Sequence, residues 1–213
     1  MIKHLLFDLD NTLYPSSAPI NANITRRMTG FVADFLQVSP EEAAEKRKEG
    51  LRHFGTTLEW LTGEHGLTAE GREQFFSAVH PPEEKNEVPL DENLRPFLLS
   101  LDMPMSLLTN APYEHAERIL KRLKVLDLFK VICDLRGNNL QGKPAPAAYL
   151  RPIEQAGFTV EETLFIDDYV KYIKGYSELG GTAVLVDQNN KHSAQPYLRI
   201  KSIYQLPEIL EEL

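Results

Sequence analysis

The sequence holds one cysteine, Cys133, so neither an internal disulfide nor a zinc site built on several thiolates is open to it. Positive charge is short: 23 Lys plus Arg against 31 Asp plus Glu leave a net charge of −8. Such a chain lacks the field that neutralises a phosphate backbone, which argues against a general binder of nucleic acid polymers. No apolar run approaches the about 20 residues of a membrane span. The opening Met1-Ile2-Lys3-His4-Leu5-Leu6-Phe7-Asp8 does not read as a secretory leader, because Asp8 and Asp10 interrupt its apolar stretch. Internal repeats and low-complexity tracts are missing too. The hydrophobic share of 42% and charged share of 25% belong to a folded globular chain rather than a disordered one. A soluble cytoplasmic protein with no membrane partner is the expectation, and 213 residues suffice for one sizeable domain or a domain with a smaller insert.

What is present changes character along the chain. Residues 2–9 form a short apolar run that ends in acids and Asn11-Thr12, the pattern of a buried strand. Residues 20–80 then read as helices alone. Ile24, Met28, Phe31, Val32, Phe35 and Leu36 fall at helical spacing on one stripe. Ser39-Pro40-Glu41-Glu42 opens a second helix with an N-cap serine, a proline in the first turn and a glutamate placed to close a capping box. Further helices are expected over 57–64 and 68–78, and Pro81-Pro82 ends the block. Beyond residue 88, strand-like runs at 104–108, 130–133, 164–167 and 183–186 alternate with helical segments near 92–101, 113–124, 146–157 and 170–179. That alternation indicates βαβ units and a parallel sheet. The economical reading is one α/β domain, residues 1–15 and 89–213, carrying a helical insert, 16–88, after its first strand.

Four polar clusters sit where an open parallel sheet places its site, just past the carboxyl ends of strands. They are Asp8-Leu9-Asp10-Asn11-Thr12, Thr109-Asn110, Lys143-Pro144 and Asp167-Asp168. Singly, each has a structural explanation: acids after a strand cap helices, Thr109-Asn110 suits the start of the next helix, and a loop lysine is usually solvated. Capping does not explain all four in this order. Carboxylates from the first strand and from Asp167-Asp168 make an all-oxygen site of the kind Mg²⁺ prefers. Lys143 adds positive charge, and Thr109 with nearby amides suits phosphate oxygens. Two acids two residues apart suggest a division of labour in which one attacks and the other manages the leaving group's proton.

The runs Phe7-Asp8-Leu9-Asp10-Asn11-Thr12-Leu13-Tyr14-Pro15, Leu108-Thr109-Asn110, Lys143-Pro144-Ala145-Pro146 and Phe165-Ile166-Asp167-Asp168 resemble, in order, the four motifs of the haloacid dehalogenase superfamily. The resemblance implies a Rossmann-like parallel sheet with helices on both faces and a helical cap inserted after the first strand. It implies Asp8 as nucleophile, Asp10 as general acid and base, Thr109 on the phosphoryl group and Lys143 balancing charge. Mg²⁺ would be held by Asp8, the backbone carbonyl of Asp10 and Asp168, with Asp167 close by. Dehalogenases of this superfamily lack an acid at the position of Asp10, so its presence resembles the phosphatases and phosphomutases.

Residues His53-Phe54-Gly55-Thr56-Thr57-Leu58, with His65-Gly66 and Val79-His80, are similar to the cap of pyrimidine 5′-nucleotidase-like members. That likeness implies a nucleoside monophosphate as the small phosphorylated substrate, with His53, Thr56, Asn110, Thr109 and Lys143 in contact with it. A structural explanation stands beside it: Gly55-Thr56-Thr57 suits a plain helix start, and His80 a helix end. Alternatives are a phosphatase of another phosphorylated metabolite, and a weakly active relative that binds a ligand or partner. The last is raised by Tyr169 and Tyr172, where relatives commonly carry small polar residues. Cys133 and Trp60 read as packing, and the charged run 41–49 as a solvated helix face.

Overall fold

His4–Phe7 form the first strand, β1, and all four of its side chains are buried. This computed structural model describes residues 1–213. Five further strands follow: β2 (Met105–Leu108), β3 (Phe129–Cys133), β4 (Thr163–Asp167), β5 (Thr182–Val186) and β6 (Leu198–Ile200). They make one parallel sheet in the order β3-β2-β1-β4-β5-β6. Short apolar strands buried on both faces are what a parallel sheet under helices requires. The direction of strand progression reverses at β1, so the topological switch point lies between β1 and β4.

The chain divides into two compact units, Met1–Ser17 with Pro89–Leu213, and Ala18–Val88. In the first, helices α7 (Pro146–Ala156) and α8 (Val170–Ser177) pack on β2, β3, β4 and β5. Their core joins Tyr149, Ile153, Ile173 and Tyr176 to Leu6, Leu108, Phe165 and Leu185. Alternation sends Leu5 and Phe7 to the opposite face. Right-handed crossovers assign α5 (Leu94–Ser100) and α6 (Tyr113–Arg122) to that face, where Leu94, Leu98, Ile119 and Leu120 are buried. A last helix, α9 (Leu206–Glu212), follows β6.

His4 is wholly buried in β1 between its neighbours, with Nδ1 3.1 Å from Thr163 Oγ1 and Nε2 2.9 Å from Ser106 Oγ. Its ring stacks on Phe158 at 4.7 Å. Burial, with Lys130 nearby, lowers its pKa from 6.5 to about 4, so the imidazole is neutral at physiological pH.

The helical unit comprises α1 (Pro19–Leu36), α2 (Pro40–His53), α3 (Thr57–His65) and α4 (Ala69–Val79). α1 packs against α2 and α4, with Phe31 edge-on to Phe75 at 5.1 Å. Gly50 lets α2 and α3 approach closely: a Cβ there would lie 2.5 Å from the Trp60 ring. Ser39 accepts the Glu42 amide at 3.2 Å as expected, but the Glu42 carboxylate pairs with Lys46 at 3.4 Å rather than closing a capping box. The reciprocal box forms at Thr56 and Glu59 instead. α1's apolar stripe is only partly covered, for Val32 and Ala33 are buried while Phe35 is 37% exposed. No helix is long and apolar enough to cross a membrane.

Candidate active site

Phe7 is level with Leu107 on β2 and Ile166 on β4, so Asp8, Thr109 and Asp167 all emerge at the same edge of the sheet. After Asp8 the chain turns sharply, with Asn11 at φ 65° and the amides of Thr12 and Leu13 both bonded to Leu9 O. The turn stacks each residue under the one four places later. Thr12 Oγ1 donates to Asp8 Oδ2 at 3.1 Å, and Tyr14 OH donates to Asp10 Oδ1 at 2.5 Å. Both carboxylates after β1 therefore receive a hydroxyl from their own turn.

Lys143 comes from the loop between β3 and α7 and is fully buried. Its Nζ donates to Asp8 Oδ1 and Asp167 Oδ2, each at 2.6 Å. The ammonium also lies 5.0 Å from the Tyr172 ring centroid and 5.5 Å from that of Phe165. Asn110 fixes the loop that delivers it, accepting the Lys143 amide at 2.8 Å and donating to the Lys143 carbonyl at 3.0 Å. A Cβ on Gly142 would sit 2.6 Å from Asn110 Oδ1, so this approach requires glycine. Asn110 Nδ2 also lies 3.0 Å from the Tyr172 hydroxyl. Thr109 is buried, and its Oγ1 accepts the Ala111 amide at 3.0 Å. Asp167 is buried and accepts the Tyr169 amide at 2.8 Å, so one residue both braces the backbone entering α8 and grips the lysine.

Asp8, Asp167 and Asp168 bring carboxylate oxygens within 4.8 Å of one another. Burial raises all three carboxyls above their usual range, Asp168 to about 7, and mutual repulsion adds to it at Asp8 and Asp168. For Lys143, burial works against the charged form, but Asp167 and Asp8 outweigh it and hold the ammonium protonated. One ammonium thus faces three carboxylates in a desolvated setting. A further positive charge suits this place, and an all-oxygen donor set fits a hard divalent cation.

Two neighbours of this cluster escaped the sequence reading. His115, wholly buried in the first turn of α6, has Nε2 2.9 Å from Asp10 Oδ1. Tyr14 stood inside the first motif without an assigned contact. A lone histidine on a helix reads as core, and its nearness to Asp10 follows only from topology: helices that follow parallel strands begin at the carboxyl edge of the sheet. In the helical unit, Thr56 is the N-cap of α3, its hydroxyl accepting the Glu59 amide at 3.0 Å. His53 is the last residue of α2 and lines a depression with Lys46, Trp60, Glu64 and His65.

The sequence profile of the haloacid dehalogenase-like hydrolases matches residues 2–177. Among solved structures, a HAD phosphatase from Thermococcus onnurineus is similar with a TM-score of 0.72 and 22% identity, covering 98% of each chain. A HAD-hydrolase from Bacillus subtilis, bound to magnesium, is similar at 0.66 and 19%, over 99% of each. The L-2-haloacid dehalogenase of Xanthobacter autotrophicus is similar at 0.62 and 15%, over 100% of each. At such identities the likeness concerns the fold, which phosphatase and dehalogenase share.

Proposed function

The chain belongs to the haloacid dehalogenase-like hydrolases, and from that premise we propose that it hydrolyses phosphate monoesters through a phosphoryl-aspartate on Asp8. The observation that carries this reading is Asp10, a second carboxylate two residues beyond Asp8, held through Oδ1 by Tyr14 and His115. A halide departs without a proton, whereas the alkoxide of a phosphate ester needs one.

In the first step the Asp8 carboxylate attacks phosphorus while Asp10 gives its proton to the departing oxygen, and the bond from phosphorus to that oxygen breaks. The alcohol leaves. Asp10, now a carboxylate, takes a proton from water as the water oxygen attacks the same phosphorus. The bond to Asp8 breaks, returning its carboxylate and releasing inorganic phosphate. Lys143 holds Asp8 in place and offsets charge as the phosphoryl group is transferred, and Thr109 meets a phosphoryl oxygen. For the cation we propose Mg²⁺, held by Asp8, Asp168 and the Asp10 carbonyl with Asp167 beside them. When bound it supplies positive charge against the phosphoryl oxygens.

For the substrate we propose a nucleoside monophosphate, on the resemblance of residues 53–58 and of Asn11–Pro15 to pyrimidine 5′-nucleotidase-like proteins. The Thr56 hydroxyl already serves α3, so His53 is the side chain through which that segment would read a base or sugar. A screen of phosphorylated metabolites, nucleoside monophosphates included, tests this assignment, and a clear preference for another class overturns it.

The chemistry is tested with Asp10→Asn, compared on an alkyl phosphate and on an aryl phosphate whose phenolate departs unaided. General acid catalysis is worth about 10²–10⁴-fold. A loss in kcat/KM of that order on the alkyl ester, and a far smaller one on the aryl ester, is expected. Asp8→Asn is expected to abolish turnover of both with the fold intact, since an amide does not attack phosphorus as a carboxylate does. Equal losses on both esters in Asp10→Asn overturn the acid role, and turnover in Asp8→Asn overturns the nucleophile.

A further inference from the structure

We propose that His115 and Tyr14 are positioning residues for Asp10, and that together they decide which of its two oxygens carries the proton passed to the leaving group. The proposal rests on the phosphatase reading above, in which Asp10 is the acid and then the base.

The geometry is asymmetric. Tyr14 OH lies 2.5 Å from Asp10 Oδ1, and His115 Nε2 lies 2.9 Å from the same Oδ1. A phenol donates to a carboxylate, and an imidazole with its proton on Nε2 donates alongside it. An oxygen that accepts two donors has its lone pairs engaged and is the less basic of the pair, so the acid proton of Asp10 sits on Oδ2. The two donors come from separate elements, the turn after β1 and the first turn of α6, and so they hold the carboxyl plane from two directions. Both are buried: His115 has no exposed surface and Tyr14 is 4% exposed, whereas the Asp10 side chain is 28% exposed. A buried pair behind a partly exposed carboxyl is the arrangement proton transfer needs, because a freely rotating acid spends much of its time misaligned.

The opposing explanation is that His115 is a core histidine that happens to find an acceptor. The two differ in what a substitution does to the leaving-group dependence. A packing defect lowers kcat/KM for every ester together. A misaligned acid lowers it for esters whose leaving oxygen needs a proton, and so changes the ratio between an alkyl and an aryl phosphate.

The experiment measures that ratio for the wild type, Tyr14→Phe, His115→Leu, His115→Gln and Asp10→Asn, each checked for native circular dichroism. Tyr14→Phe removes one oxygen, and His115→Gln keeps an N–H donor at similar reach. A fall in the alkyl-to-aryl ratio of about tenfold is expected for Tyr14→Phe and for His115→Leu, a part of the about 10²–10⁴-fold that a general acid supplies. His115→Gln should recover most of it. On the aryl ester the first two variants should also show a burst of phenolate followed by a slower steady rate, because Asp10 no longer aligns water for the second step. If Asp10→Asn lowers the ratio while Tyr14→Phe and His115→Leu leave it unchanged, the positioning role fails and the phosphatase reading stands. If Asp10→Asn leaves it unchanged as well, the reading beneath the proposal fails. Should His115→Leu not fold, Tyr14→Phe decides alone.

Discussion

Lys143 is a charge enclosed by two carboxylates and two aromatic rings, those of Phe165 and Tyr172. Tyr172 acts at both ends of the lysine: its face lies 5.0 Å from the ammonium, and its hydroxyl lies 3.0 Å from the Asn110 amide that clips the lysine's backbone. A desolvated cation–π contact is worth up to about 2 kcal/mol, but two ion pairs already hold the ammonium. We therefore expect Tyr172→Ser to lower kcat on an aryl phosphate by about tenfold, and Tyr172→Phe, which keeps the ring, by far less. Steady-state rates for the two variants check this, and a wild-type rate in Tyr172→Ser would reduce the ring to filler. Much at this scale was legible in advance. Asp8, Thr109, Lys143 and Asp167 were singled out because their types and order suit phosphoryl chemistry, and the fold gathers them at one sheet edge. Tyr14 and His115 were not legible as partners of Asp10. The first needs the tight turn at Asn11, the second a contact across 105 residues, and neither leaves a periodic trace in sequence.

At the scale of elements, β1 is pinned sideways as well as by its ladders, since His4 reaches Ser106 on β2 and Thr163 on β4. Its folded pKa near 4 lies below the unfolded 6.5, so the unfolded chain binds a proton more readily between those values. The contribution is complete above pH 6.5 and is lost as pH falls toward 4. At about 1.4 kcal/mol per pH unit it amounts to about 3 kcal/mol. Urea unfolding of the wild type and His4→Gln should give stabilities that converge from pH 7 to pH 4. A constant difference would mean that His4 is not held neutral. The strands were legible as short continuous apolar runs and the amphipathic helices from their period of 3.6. β6 was not, because its three residues follow a polar loop and gain their identity only by pairing with β5. The capping box was expected at Ser39 and found at Thr56, since both stretches carry the signature and side-chain competition with Lys46 decides at the first.

At the scale of the molecule, the chain has two compact units, and the change in periodicity near residue 88 coincides with the step from Ala18–Val88 to Pro89–Leu213. The helical unit is one continuous stretch, Ala18–Val88, whereas β1 bonds to strands that begin at Met105 and Thr163. Loop-closure entropy must be met before the β1 ladders form, and such non-local pairing is slow. In refolding from urea followed by pulse-labelled hydrogen exchange, amides of α1, α2 and α4 should gain protection before those of Leu5, Leu6 and Phe7. Simultaneous protection would show that the two units fold as one.

The same separation sets an order of events on the ribosome. Asp8 and Asp10 are translated well ahead of β4, and β1 has no neighbour on one side until β4 has emerged. At about 5–20 residues per second, the strand from which both acids extend waits roughly ten to thirty seconds with that edge open. Throughout that interval the open edge of Leu5, Leu6 and Phe7 is available to any other nascent strand or to a chaperone. The strand that carries Asp8 and Asp10 is thus translated long before the neighbour that completes it.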